Sequence, residues 1–86
     1  MHKRIKGLTN AVREILQEHD NGISSLDICH EVKDRSFVSL TAEQKKITYS
    51  QPNFYHSVRR TILSLVRRGE AVRVKRGMYK WHGTTA

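Results

Sequence analysis

One cysteine, one proline and eight acidic residues in 86 positions are the scarcities of this sequence, and each excludes something. Cys29 stands alone, so the chain forms no internal disulfide and offers no multi-cysteine zinc site. His2, His19, His30, His56 and His82 show no ligand spacing either, and neither a metal nor another cofactor is expected. Cys29 lies within an apolar helical pattern, where a small buried hydrophobe is the expected role. No apolar run approaches the roughly 18 residues of a membrane-spanning helix. The N-terminal MHKRIKG is basic but leads into no apolar signal core, so no secretion signal is expected and a cytoplasmic location is. There is no glycine-rich phosphate loop, no carboxylate pair in an apolar setting, and no nucleophile with a base and an orienting group. The adjacent Tyr55 and His56 lack the metal-binding histidines or arginines that tyrosine nuclease chemistry needs. A binding protein is expected, not an enzyme, with no small-molecule substrate evident.

The scarcity of acid is regional. Residues 1–43 carry six Lys/Arg against seven Asp/Glu, while residues 44–86 carry ten Lys/Arg against Glu70 alone. The net charge of +8 therefore comes from the second half. A field of one sign on half of a small domain attracts polyanions and speeds their association. Nucleic acid is favoured over anionic lipid or a merely solubilising surface, because the cations fall in the best-patterned segment and not in a tail.

The pattern along the chain fits one small domain over residues 1–86, with residues 1–7 a flexible basic arm and 83–86 a frayed end. Thr9 or Asn10 is the expected cap of a first helix whose apolar positions Leu8, Val12, Ile15 and Leu16 recur at the 3.6-residue period. Asn21 and Gly22 supply a left-handed stop. Ile23 suggests a short bridging strand, and Ser24, three residues before Asp27, suggests the cap of a second helix over about Ser25 to Lys33, with Leu26, Cys29 and Val32 on its inner face and Ile28 beside it. Residues 34–50 are the least patterned. There Thr41 and Gln44 match a capping box that opens a short helix reaching Ile47 or Thr48. Pro52 is read as the first position of a third, basic helix, with its boundary between Gln51 and Pro52.

In that helix Phe54, Val58, Thr61, Ile62, Leu65 and Val66 fall in one sector, and His56, Arg59, Arg60 and Arg67 in the opposite one. Leu63 breaks the pattern by lying among the arginines. Gly69 ends the helix. Ala71 to Lys75 and Met78 to His82 then alternate as two strands joined at Arg76-Gly77, with Val72, Val74, Tyr79 and Trp81 expected inside and Arg73, Lys75 and Lys80 outside.

Three helices followed by a basic hairpin resemble the winged-helix domain from about Leu8 to His82. The most specific piece is LVRRGEAVRVKRGMYKW, residues 65–81, which looks like the end of a recognition helix running into its wing. It is similar to the small winged-helix regions of antitoxin and repressor families. The resemblance implies an α+β fold with a three-helix core and a C-terminal two-stranded β-hairpin wing. It also implies sequence-specific binding of double-stranded DNA by a small transcriptional regulator, nucleoid-associated or, in a eukaryote, nuclear. The third helix would enter the major groove and the wing would hold flanking backbone. The long 34–50 connection and the short wing tip depart from that pattern and leave the angle of the helix open.

On that reading Gln51, Asn53, His56, Ser57, Arg59 and Arg60 are candidate base readers, since Arg pairs with guanine and Asn or Gln with adenine through two hydrogen bonds each. Arg73, Lys75, Arg76 and Lys80 are candidate phosphate contacts, as are Lys45 and Lys46. Tyr55 and Tyr79 are expected to serve the core. A domain this small covers limited DNA, so a homodimer on a pseudo-palindromic site is a further expectation. The alternatives are a winged helix that binds RNA or a protein, and a sequence-indifferent architectural DNA binder.

Overall fold

Burial of Ile5 decides where the chain first turns. The computed structural model describes residues 5–48 and 51–83, so most of the expected basic arm and frayed tail lies outside the described residues. Ile5 itself is buried in the core and shortens that arm. To bring both Ile5 and Leu8 inside, the chain turns at Gly7 with φ 82°, and Gly7, not Thr9 or Asn10, precedes the first helix, α1 (Leu8–Glu18). Two core side chains outweigh the one hydrogen bond a polar cap supplies. Leu8, Ala11, Val12, Ile15 and Leu16 form the buried stripe of α1.

Gly22, at φ 102°, carries the turn after α1, and Asn21 does not share that conformation. A side chain at Gly22 would also stand 3.3 Å from the Tyr79 carbonyl oxygen, so a glycine is needed for close approach as well as for the turn. Strand β1 (Ile23–Ser24) follows, then α2 (Ser25–Asp34), whose cap is Ser24 accepting from the Asp27 N–H at 3.1 Å. The buried face of α2 is Ser25, Ile28, Cys29 and Val32, and Leu26 lies half outside it. Ser25 can be inside because both its polar groups are satisfied: its N–H donates to the Gly77 carbonyl and its hydroxyl is bonded to that of Tyr55. The end of α2 turns through Ser36 at φ 52°, with the Phe37 N–H returning to the Val32 carbonyl.

The expected capping box is present. Thr41 and Gln44 exchange side-chain and backbone hydrogen bonds to open α3 (Ala42–Lys45), a single turn. Ile47 and Thr48 do not extend that turn. They form β2 (Ile47–Thr48), antiparallel to β3 (Gln51–Pro52). Pro52 is thus a buried strand residue and not the first residue of a helix. Lacking an N–H, proline suits a short edge strand, and burying its ring is worth more here than a place in a first turn. The long helix α4 (Tyr55–Arg67) begins three residues later, behind buried Phe54.

The hairpin consists of β4 (Ala71–Lys75) and β5 (Met78–Trp81), and with β1 it makes a three-stranded antiparallel sheet in the order β1-β5-β4. Its inner face differs from the expected alternation. The pairs Ala71↔Trp81 and Arg73↔Tyr79 share one face, Val72↔Lys80 the other, and Lys75↔Met78 is displaced by a bulge that leaves Val74 extra. Ala71 and Tyr79 are buried against the helices, Val72 and Trp81 are half-buried, and Val74 is 49% exposed. The small Ala71 lets β4 approach the helices closely, which reverses the parity expected from the valines.

The buried residues of α1, α2, α4 and the sheet form one core, so the described part is a small α+β unit with four helices and two antiparallel sheets. None of its helices is long and apolar enough to cross a membrane. Cys29 is fully buried, and burial pushes its thiol up to about 12. Glu70 joins the two halves. Arg13 on α1 donates to both its carboxylate oxygens, at 2.8 and 3.1 Å, while the Glu70 N–H and carbonyl bond to Leu65 and His82.

The Arg13 guanidinium holds the Glu70 carboxyl below its ordinary value of 4.5, against the opposing effect of burial, and Arg68 adds attraction. A carboxyl lowered by folding stabilises the fold above its unfolded pKa and loses that contribution as pH falls through its folded pKa. The melting temperature of Arg13→Ala should therefore lie below that of the native protein at neutral pH, and the gap should close as pH is taken below 4.5. Thermal melts of both proteins across the acid range measure this. A gap independent of pH would mean that the pair does not supply the difference.

Candidate nucleic-acid interface

Helix α4 is held so that one face is sealed and the other open. Val58, Ile62 and Leu65 are fully buried, whereas His56, Arg59, Arg60, Leu63, Ser64 and Arg67 are exposed. The helix is fastened at its start by the Phe54 N–H to the Gln44 carbonyl at 3.1 Å and the Asn53 N–H to the Lys46 carbonyl at 2.8 Å. Tyr55, in its first turn, shares a 2.7 Å hydrogen bond with Ser25 of α2. At its other end Gly69, with φ 79°, lets the Glu70 N–H return to Leu65. The 34–50 connection, unpatterned in sequence, is what clamps the entry to this helix.

Two concave surfaces border the open face. An open groove of about 500 Å³ runs between α4 and the hairpin, with Arg59, Arg73 and Arg76 around it and Tyr55, Leu63, Val66 and Tyr79 among its walls. A second, of about 330 Å³, is lined by His56, Ser57, Arg59, Arg60 and Leu63. Arg59 and Leu63 belong to both. The hairpin register explains why Arg73 reaches the groove: it shares the helix-facing side with Tyr79. By the same register Lys80 is on the other side with Val72, and Lys75 pairs with Met78 there. The basic residues expected on one outer face of the hairpin are therefore divided between two faces.

The electrostatics follow the partition of acids. Among the described residues the ion pairs are Arg13–Glu70, Arg35–Glu18 and Arg35–Glu31. Among these residues no carboxylate pairs with Arg59, Arg60, Arg73, Arg76, Lys75 or Lys80, and the one acid of the basic half is taken up by Arg13.

Two of the candidate base readers fall outside α4. Gln51 is exposed on β3, paired with Thr48. The Asn53 amide donates to the Glu43 carbonyl at 3.0 Å and to its carboxylate at 3.3 Å, so this side chain braces α3 against the start of α4. His56, in edge contact with Tyr55, is exposed, and Ser57 is half-buried. Lys45 and Lys46 are exposed at the end of α3, beside the α4 clamp.

A group with metal-ligand chemistry lies elsewhere. Ligand atoms of Glu18, His19 and Glu31 come within 4.8 Å of one another. Arg35 already occupies the space between the carboxylates, donating to Glu18 at 2.6 and 3.0 Å and to Glu31 at 3.4 Å while its guanidinium stands 4.3 Å over the Phe37 ring. Its hydrogen bonds hold Glu18 below, and itself above, their ordinary pKa values. A guanidinium is thus the cation of this site.

No family model matches the sequence, and neither a curated protein nor a solved structure matches the chain.

The Ser25–Tyr55 bond escapes sequence reasoning, since nothing local couples residues 30 apart. It sets the start of α4 relative to α2. Tyr55→Phe should destabilise the protein by about 1 kcal/mol, the usual net worth of one internal hydrogen bond. Ser25→Ala should cost less when Phe already stands at 55 than in the native background. Urea unfolding midpoints of the four proteins give the coupling, and strict additivity would show that the bond contributes nothing.

Proposed function

We propose that this protein is a winged-helix transcriptional regulator that binds double-stranded DNA sequence-specifically, in the cytoplasm on a nucleoid or in a nucleus. The convergence of Arg59, Arg73 and Arg76 on one groove, with no carboxylate among the described residues paired to them, carries this reading. Planar guanidiniums suit phosphate and guanine because each presents a fork of donors. Support for the winged-helix class comes from element order: helix, short strand, helix, a clamped connection, basic helix, then a hairpin beside the short strand.

In the proposed complex the open face of α4 lies in the major groove, with His56, Ser57, Arg59 and Arg60 toward base edges. Arg73 and Arg76 hold the phosphate backbone beside it. Lys75 and Lys80, on the opposite side of the hairpin, act at longer range through the field. Gln51 and Asn53 drop out as readers, the first because it precedes the helix and the second because its amide is spent on Glu43. Transcription is controlled by occupancy, and a second copy on a pseudo-palindromic site enlarges the contact with DNA.

Titration against random duplex, single-stranded DNA and structured RNA over a range of salt, followed by selection from a random-duplex library, tests this. Salt-sensitive duplex binding with an enriched motif is the expected outcome. Arg73→Ala and Arg76→Ala should each reduce the salt slope by about one, Arg59→Ala should relax the motif at one position at a cost of about 1–3 kcal/mol, and Lys33→Ala, in the acidic half, should do neither. Tight binding with no enriched motif would replace the regulator by an architectural protein, preference for RNA would replace the ligand, and absence of salt-sensitive duplex binding would end both DNA readings.

A further inference from the structure

Leu63 has no place in a surface made only to attract phosphate. It is 42% exposed, and it is the one exposed large hydrophobic side chain among the described residues that projects from α4; Ile47 and Val74 lie on strands. Residues three and four apart are neighbours on a helix surface, so Arg60, Arg59 and Arg67 surround Leu63 on its own face. It also lines both concave surfaces, and with Arg59 it forms the border they share. An apolar side chain bracketed by guanidiniums complements a ligand whose apolar group is bracketed by anions and hydrogen-bond acceptors.

Duplex DNA presents that arrangement in its major groove. Base edges there show donors and acceptors, the phosphates lie on either side, and the one apolar group is the C5-methyl of thymine. We propose that Leu63 reads this methyl group, making it a specificity-determining residue that selects thymine at one position of the site. The proposal rests on the duplex-binding reading above and adds to it a contact that charge cannot supply. The arginines on either side set the register, and Leu63 discriminates by covering an apolar group that cytosine and the purines do not offer.

The duplex selected from the library is compared with one carrying deoxyuridine at every thymine position, which removes only methyl groups. Both are titrated with the native protein and with Leu63→Ala, a substitution at an exposed position that leaves the core intact. The native protein should bind the deoxyuridine duplex about four-fold more weakly for the one methyl covered, the usual effect of burying one such group. Leu63→Ala should bind the thymine duplex about as weakly as the native protein binds the deoxyuridine one, and should lose its sensitivity to the exchange. Equal sensitivity in both proteins would assign the methyl contact to another residue and overturn the proposal. Unchanged affinity on deoxyuridine with duplex binding intact would also overturn it while leaving the DNA reading in place. No binding to either duplex, with Leu63→Ala weakening capture of an acidic amphipathic peptide, would overturn both.

Discussion

Burial of one face of α4 is the constraint on which the rest of the structure depends. Phe54, Val58, Ile62 and Leu65 are almost wholly removed from water. Each is worth about 1.5–3 kcal/mol, whereas an exposed ion pair is worth about 1 kcal/mol or less. The apolar sector therefore chooses the rotation of the helix, and the arginines take the face that remains. Arg59, Arg60 and Arg67 are exposed because Val58, Ile62 and Leu65 are not.

Every neighbouring element acts on that helix. The capping-box turn and the β2–β3 pair clamp its start, Tyr55 ties it to α2, and Glu70 turns the chain from its end into the hairpin. Glu70 combines two tasks with different physics. Its backbone closes the helix and continues the sheet, while its carboxylate is drawn across to Arg13. The basic half is thereby relieved of its single acid. Arg35 does the converse on the acidic half, gathering Glu18 and Glu31 of α1 and α2. Among the described residues the ion-paired carboxylates are thus Glu18, Glu31 and Glu70, and the cations of α4 and the hairpin are left without an acidic partner.

Local signals were legible where one short stretch contains the whole cause. Ser24 with Asp27, Thr41 with Gln44, Gly69 after the basic helix and the apolar sector from Phe54 to Leu65 were readable because each rests on contacts within about one or two helical turns. Pro52 misled for the same reason: its local preference for a first helical turn says nothing of Ile47 across a hairpin. Thr9 and Asn10 were good local caps overruled by Ile5, and the hairpin parity was lost to a bulge at Val74 and a close approach at Ala71. In the candidate interface, Arg59, Arg60, Arg73 and Arg76 could be named in advance, but not the separation of Arg73 from Lys75 and Lys80, nor the spending of Asn53 on Glu43.

Sequence alone determined the composition of the faces: which half is basic, which helix is amphipathic, where a hairpin closes, and that Leu63 sits among arginines. These depend on charge and periodicity, which the order of residues contains in full. Tertiary structure decided which faces meet. Arg73 borders α4, Ser25 finds Tyr55, and Glu70 is removed from the basic surface by Arg13, because packing and register join residues that are remote in the chain.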